Sequence, residues 1–218
     1  METVVERLAR SPKLGLIYRD LTELWEQEQD ARQRFYDSID DGQKAEFING
    51  EIIVHSPDKL KHVEVRLRLT NLLHNFVATH DLGLVGDEKL LVCLTRNDYM
   101  PDVVFYLEER AATLQPDQSR FPAPDFVAEV LSASTRRRDR GVKFEDYAAH
   151  GVREYWLLDP DARTVEKFCL NPLGRYALEK KAGGDEEVRS TLLPGFKAPA
   201  SAFFDDRANL HALRRLLK

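Results

Sequence analysis

Apolar and polar positions along this chain alternate between a helical and a strand-like period, and the order of those blocks predicts its elements. Residues 1–40 read as helical: LTELWEQEQD sets Leu21, Leu24 and Trp25 on one side and acids on the other. In KAEFINGEIIVH, Asn49-Gly50 separates two β-prone runs. Both residues tolerate positive φ, so the pair predicts a tight hairpin from Lys44 to His55. Ser56-Pro57-Asp58 breaks the strand. His62, Val65, Leu69, Leu72, Leu73, Phe76 and Val77 then share one stripe at helical spacing, predicting a long helix that ends near His80, before Gly83.

The strand pattern returns from Leu84 to Leu107, where LLVCL and DVVFYL flank the turn-forming TRNDYMP and Pro101 suits a strand start. Residues 108–125 form a polar, proline-containing connection, and DFVAEVL is the nearly continuous apolar run of a central strand covered on both faces. Ser132, Ser134 or Thr135 can cap a helix predicted from Thr135 to His150 and stopped by Gly151. The strand EYWLLD follows. A helix between two apolar strands marks a right-handed βαβ crossover, so these two strands should be parallel neighbours. TVEKFCL and RYALEKK, separated by Asn171-Pro172-Leu173-Gly174, read as antiparallel strands before a short helix in NLHALRRLLK. The fold class is therefore α/β (α+β), a mixed sheet flanked by helices with an antiparallel C-terminal appendage. Its organisation is a helical extension over residues 1–40 and one globular domain over 41–218.

Composition narrows the function classes. With 218 residues, 43% of them hydrophobic, the chain can bury a full core. A net charge of -5 gives no global electrostatic reason to bind nucleic acid, so any such site must be local. METVVERLARSPK lacks the uninterrupted apolar region of a secretory signal, and no later apolar run approaches a membrane-spanning length, which predicts a cytoplasmic protein with no membrane partner. Cys93 and Cys169 read as reduced packing residues, with a disulfide as the alternative.

The chemistry concentrates between Pro101 and Tyr155. Asp102 begins an otherwise apolar run, and Glu129 sits inside DFVAEVL, where an unpaired acid costs several kcal/mol to bury. A divalent cation would compensate both acids. Mg²⁺ takes one or two protein carboxylates and fills its other positions with water and phosphate oxygens. The basic helix STRRRDRGVKFEDYAAHG brings Lys143 toward the same end of the sheet, sharing a helix face with Tyr147. Near a cation its pKa should fall from about 10.4 toward a range useful for deprotonating or orienting water. The competing readings are a salt bridge from Lys143 to Asp139, a solvated lysine, and Asp102 as a turn cap. Arg136, Arg137, Arg138 and Arg140 could contact phosphates, or could form a solvated surface paired with Asp139 and Glu145.

Taken in order, AEFINGEIIVHSP, a helix carrying His62, PDVVFYL, FVAEVLSAST and RRRDRGVKFEDYAAHGVREYWLLDPDARTVEKF resemble the Uma-two family of the PD-(D/E)XK, restriction-endonuclease-like superfamily, over about residues 44–170. The resemblance implies a core sheet flanked by helices, Asp102 and Glu129 as metal ligands, and the carbonyl of Val130 as a further one. The superfamily's usual lysine stands two residues after the acid, but here that position is Leu131. Lys143 matches the lysine that this family displaces to the following helix. Glu46 and His62 match a recurrent glutamate in the hairpin and a recurrent histidine on the long helix, either of which could hold a water, a second metal or the metal's ligands. Ala133 stands where the family often has proline, which leaves φ freer in that loop. The expectation is a Mg²⁺- or Mn²⁺-dependent DNA endonuclease. The alternative is a non-catalytic DNA-binding or interaction module that retains the nuclease fold. A homodimer is expected because cutting both strands of a duplex needs two active sites, with the C-terminal strands supplying edges that could pair.

Overall fold

Caps and turns set where each element begins. The computed structural model describes residues 3–40 and 42–218; Met1, Glu2 and Asp41 lie outside the described residues, so the helix expected over 1–40 is assigned only from Thr3 onward. Thr3 and Glu6 form a capping box at the start of α1 (Val4–Ala9). Pro12 separates it from α2 (Leu14–Ser38). Asn49 and Gly50 take φ of 52° and 86° and close β1 (Ala45–Ile48) onto β2 (Glu51–Val54) as the expected hairpin. The predicted stripe of the long helix is the buried face of α3 (Leu60–Thr79), from His62 to Val77.

β3 (Gly83–Asp87), β4 (Leu91–Cys93), β5 (Asp98–Tyr99) and β6 (Val103–Leu107) follow. The turn expected before Asp102 thus contains a short strand, because Asp98 and Tyr99 pair back onto Cys93 and Val92. Within the polar connection lie α4 (Glu108–Ala111) and β7 (Arg120–Phe121), and β8 (Phe126–Val130) is fully buried as a central strand should be. The single helix expected from Thr135 to His150 is instead two, α5 (Arg136–Asp139) and α6 (Val142–Ala149). Gly141 breaks it with φ -119° and ψ -105°, and a Cβ there would stand 2.8 Å from the Arg137 carbonyl oxygen. The chain continues through β9 (Glu154–Asp159), β10 (Thr164–Leu170), β11 (Tyr176–Gly183), β12 (Glu187–Arg189), β13 (Lys197–Pro199), a 3₁₀ turn over Ala200–Phe203 and α7 (Asp206–Leu216).

Two mixed sheets result. The larger has strand order β11-β10-β9-β8-β6-β3, and the smaller has β2-β1-β5-β4-β7. β8 and β9 are parallel neighbours, with Phe126 opposite Glu154 and Val130 opposite Leu158, as the crossover predicted. β10 and β11 extend this sheet antiparallel, whereas β12 and β13 pair with each other in a separate two-stranded sheet. Period-two alternation sorts the larger sheet's side chains. Val103, Phe105, Phe126 and Ala128 pack under the α3 stripe, while Val104, Tyr106, Val127 and Leu131 pack with Tyr147 of α6 on the other face. Each fully buried large apolar side chain contributes roughly 1.5–3 kcal/mol by leaving water.

The two sheets are linked in sequence by Met100–Asp102, between β5 and β6. The smaller sheet is clamped to α2 by Arg32. Its guanidinium donates to both Asp98 carboxylate oxygens at 2.7 and 2.6 Å and to the Leu94 and Thr95 carbonyls, while the Tyr36 hydroxyl donates to the same carboxylate. We predict that Arg32→Ala, which leaves the buried Asp98 carboxylate without its cation, lowers unfolding free energy by about 3–5 kcal/mol in urea denaturation. A change below about 1 kcal/mol would contradict this assignment of the clamp.

Candidate active site

Asp102 and Glu129 meet because β6 and β8 are adjacent strands and both acids project from the ends nearest α6. Val103 pairs with Ala128, one position inside each acid. The register is tied by the main chain. The Val130 amide donates to Asp102 Oδ2 at 2.8 Å, and the Asp102 amide donates to Glu129 Oε2 at 3.3 Å. Since the N–H and C=O of one strand residue point to the same side, the Val130 carbonyl faces the same edge as Asp102. α3 contributes His62, whose Nε2 lies 3.1 Å from Asp102 Oδ2. The start of the hairpin contributes Lys44, whose Nζ lies 2.8 Å from Asp102 Oδ1.

Lys143 reaches the same place from α6. Its ammonium is 2.8 Å from Glu46 Oε1, 2.9 Å from Glu129 Oε1 and 3.7 Å from Asp139 Oδ1, and its side chain is only 3% exposed. Tyr147, one helical turn on, donates its hydroxyl to Glu129 Oε1. Glu46 is held by the Met100 amide at 3.0 Å and by His55 Nε2 at 2.9 Å. Asp139 is buried, yet neither of its oxygens has a hydrogen-bond partner. An open cavity of about 410 Å³ lies beside the cluster, lined among others by Lys44, His55 and Asp58.

Burial and neighbouring charge set these groups far apart in acidity. Burial alone would raise Asp102, but the hydrogen bond from His62 and the charge of Lys44 hold it well below the usual carboxylate range. Burial likewise opposes ionisation of Glu46, and Lys143 and His55 overcome it, bringing its pKa to about 2. At Glu129 burial wins. Lys143 pulls the other way, but Asp139, Asp102 and Glu46 add like charge, and the pKa rises to about 8. Asp139 is raised too, first by burial and against the pull of Lys143. Burial would lower Lys143, but Glu129, Glu46 and Asp139 outweigh it and push its pKa well above the ordinary lysine value. His62 and Lys44 follow the same logic: burial disfavours their charge, and Asp102 restores it and raises both.

The donor set suits a hard cation. Asp102, Glu129, Glu46 and Asp139 are all buried, and Asp139 has oxygens to spare. Among the described residues no three His, Cys, Asp or Glu side chains are already spaced around one ion position. An ion here would therefore draw on one or two carboxylates, as Mg²⁺ commonly does.

Comparison with known proteins decides the family. Residues 30–201 match the family model Uma2, described as "Putative restriction endonuclease". The chain belongs to this family. Two relatives from Synechocystis sp. are similar over most of the chain. The uncharacterized protein sll1609 is 30% identical over 153 residues, 69% of this chain and 86% of its own length. The uncharacterized protein slr1290 is 30% identical over 151 residues, 68% of this chain and 78% of its own length. Among solved structures, a "putative nuclease belonging to DUF820" from Anabaena variabilis superposes with a TM-score of 0.67 at 19% identity, covering 78% of this chain and 94% of that one. The mixed sheet flanked by helices is thus the restriction-endonuclease-like fold.

Within this Uma2 fold the expected residues Glu46, His62, Asp102, Glu129, Val130 and Lys143 converge, whereas the arginines of α5 do not. Arg136 is paired with Asp159 at 2.9 Å and Arg140 with Glu166 at 2.7 Å, while Arg137 is exposed. The arginine partners expected from sequence, Asp139 and Glu145, are replaced by acids of the neighbouring strands because α5 lies across them. Without a cation, three carboxylates around one ammonium favour the charged form of Lys143. Lys44 and His55 were missed, although both flank the hairpin that carries Glu46. The competing reading of a Lys143–Asp139 ion pair is present alongside the others, with Asp139 Oδ1 3.7 Å from the ammonium, and Asp139 is buried rather than on a solvated surface. The two cysteines are free, and no described helix is long and apolar enough to cross a membrane.

The raised pKa of Glu129 predicts a pH signature in chelator. Below 4.5 the carboxyl is protonated in both folded and unfolded chains; between 4.5 and about 8 only the folded chain holds the proton. The folded state then binds more protons, so this group's contribution to stability falls as pH rises through that window. Glu129→Gln should therefore match wild type at about pH 5 and melt higher at about pH 9, a difference on the order of a few kcal/mol. Parallel melting curves across that range would refute it.

Proposed function

We propose that this protein is a Mg²⁺- or Mn²⁺-dependent DNA endonuclease that hydrolyses phosphodiester bonds. The observation that carries the reading is the adjacency of Asp102 and Glu129 on neighbouring buried strands, with the Lys143 ammonium 2.9 Å from Glu129. Asp102, Glu129 and the Val130 carbonyl would hold the cation. When bound, it supplies Lewis acidity at the scissile phosphate and a lowered pKa for water. His62 and Lys44 fix the Asp102 carboxylate, and Glu46 and Asp139 keep Lys143 charged and aimed when Glu129 is otherwise engaged. As an ammonium, Lys143 orients the attacking water and stabilises the charge that develops on the phosphate. Arg137 and Arg138 are the α5 side chains best placed for phosphate contacts, since Arg136 and Arg140 are held by acids. The oxygen donors and the Uma2 membership support this reading.

A second reading, a non-catalytic DNA-binding or interaction module that retains the nuclease fold, is motivated by the net charge of -5 and by those engaged arginines, which argue against tight hold on a phosphate backbone. Incubation of supercoiled, linear and single-stranded DNA with Mg²⁺, Mn²⁺ or chelator separates the two. Cleavage is expected only with metal. Asp102→Ala, Glu129→Ala and Lys143→Ala should each lower it by at least about 100-fold, and His62→Ala should weaken Mn²⁺ binding in calorimetry by about 10–100-fold. Activity that survives all three alanine substitutions removes the site, and DNA binding with neither metal uptake nor cleavage favours the second reading.

A further inference from the structure

Helix α2 uses one face in two ways. Leu14, Leu21, Glu28 and Phe35 recur every seven residues, flanked by Ile17, Leu24 and Ala31 and by Tyr18, Trp25 and Arg32. In the C-terminal half this face is covered: Glu28, Arg32 and Phe35 are buried against the smaller sheet and its loops. In the N-terminal half the same face continues largely uncovered among the described residues, with Ile17 half-buried. Leu14, Tyr18, Leu21, Leu24 and Trp25 are 43%, 70%, 53%, 48% and 45% exposed. Where the helix leaves the sheet, Leu21, Leu24, Trp25, Glu28 and Arg96 line an open depression of about 300 Å³. The exposed half precedes residue 30, where the Uma2 match begins, so the family's fold does not require it.

We infer that this face pairs with the same face of a second copy of the chain, the two helices running antiparallel about a two-fold axis. The heptad spacing is that of a helix that packs against another helix, and a self-complementary stripe closes with two-fold symmetry. Charge selects the direction. At the start of α2, Lys13 at the cap and Arg19 are basic with no acid before Asp20, whereas residues 20–30 hold Asp20, Glu23, Glu26, Glu28 and Asp30 and no base. Antiparallel pairing lays the basic end of one helix along the acidic stretch of the other, and parallel pairing would set like on like. Two heptads are short for free peptides, but the Arg32–Asp98 clamp already holds this helix folded, which removes the cost of nucleating it on association. The exposed edge strand β11 is a poorer surface, because Glu179, Lys180 and Lys181 discourage strand addition.

Sedimentation equilibrium of the full chain across the micromolar range tests the inference. The expected mass is two chains for wild type and one for Leu21→Glu combined with Leu24→Glu, with circular dichroism and melting temperature unchanged because neither side chain supports its own fold. A second readout needs no variant. Dilution of wild type should increase acrylamide quenching of Trp25, while the only other tryptophan, Trp156, is 0% exposed and stays constant. A wild-type chain that is monomeric throughout the range overturns the proposal. So does a dimer that survives the double substitution, or a monomer that instead floats with anionic phospholipid vesicles.

Discussion

Excess buried negative charge is the constraint around which this structure is arranged. Asp102, Glu129, Glu46 and Asp139 lie within reach of two lysine ammoniums, and the protein manages them by dividing the cations unequally. Asp102 takes Lys44, His62 and a backbone amide, and stays ionised. Glu46 takes His55 and a share of Lys143. Glu129 is left with the remainder and holds its proton to about pH 8. Two carboxylates side by side thus take opposite acidities, because one has cations of its own and the other has burial and like charge.

Positioning those groups requires parts drawn from the whole chain. The larger sheet supplies Asp102 and Glu129 on adjacent strands, and α3 delivers His62 over its end. The hairpin brings Lys44, Glu46 and His55, anchored through the Met100 amide that follows β5. The break at Gly141 separates two functions that an unbroken helix would merge. Asp139 of α5 is buried, and Lys143 and Tyr147 of α6 both contact Glu129. Arg136 of α5 and Arg140 just after it pair with Asp159 and Glu166 of the strands that follow.

Lys143 reaches Glu129 from a helix rather than from the strand that carries the acid. With Leu131 two residues after Glu129, that position serves the apolar core under α6. The ammonium comes from the helix packed over the strand instead. The Lys143 ammonium lies a hydrogen bond away from the Glu129 carboxylate.

By itself the sequence determined most of the elements and their pairing. Periods of two and of three to four residues reflect which side chains must leave water, and Asn49-Gly50 and Gly151 mark backbone that only a few residues adopt. Those signals are local, so the hairpin, the α3 stripe and the parallel β8–β9 pair were legible from residues alone. Glu129 was legible for the same reason, as an acid where an apolar residue belongs. Tertiary structure alone decided the partners. Lys44 and Asp102 are far apart in sequence, and nothing local to either announces the contact. Whether Lys143 is an ammonium or a base depends on how many carboxylates surround it in space. The same holds for the stripe of Leu21, Leu24 and Trp25, which the sequence marks as a face to be buried: periodicity reports that a face is apolar, and only the fold shows that the chain leaves it uncovered.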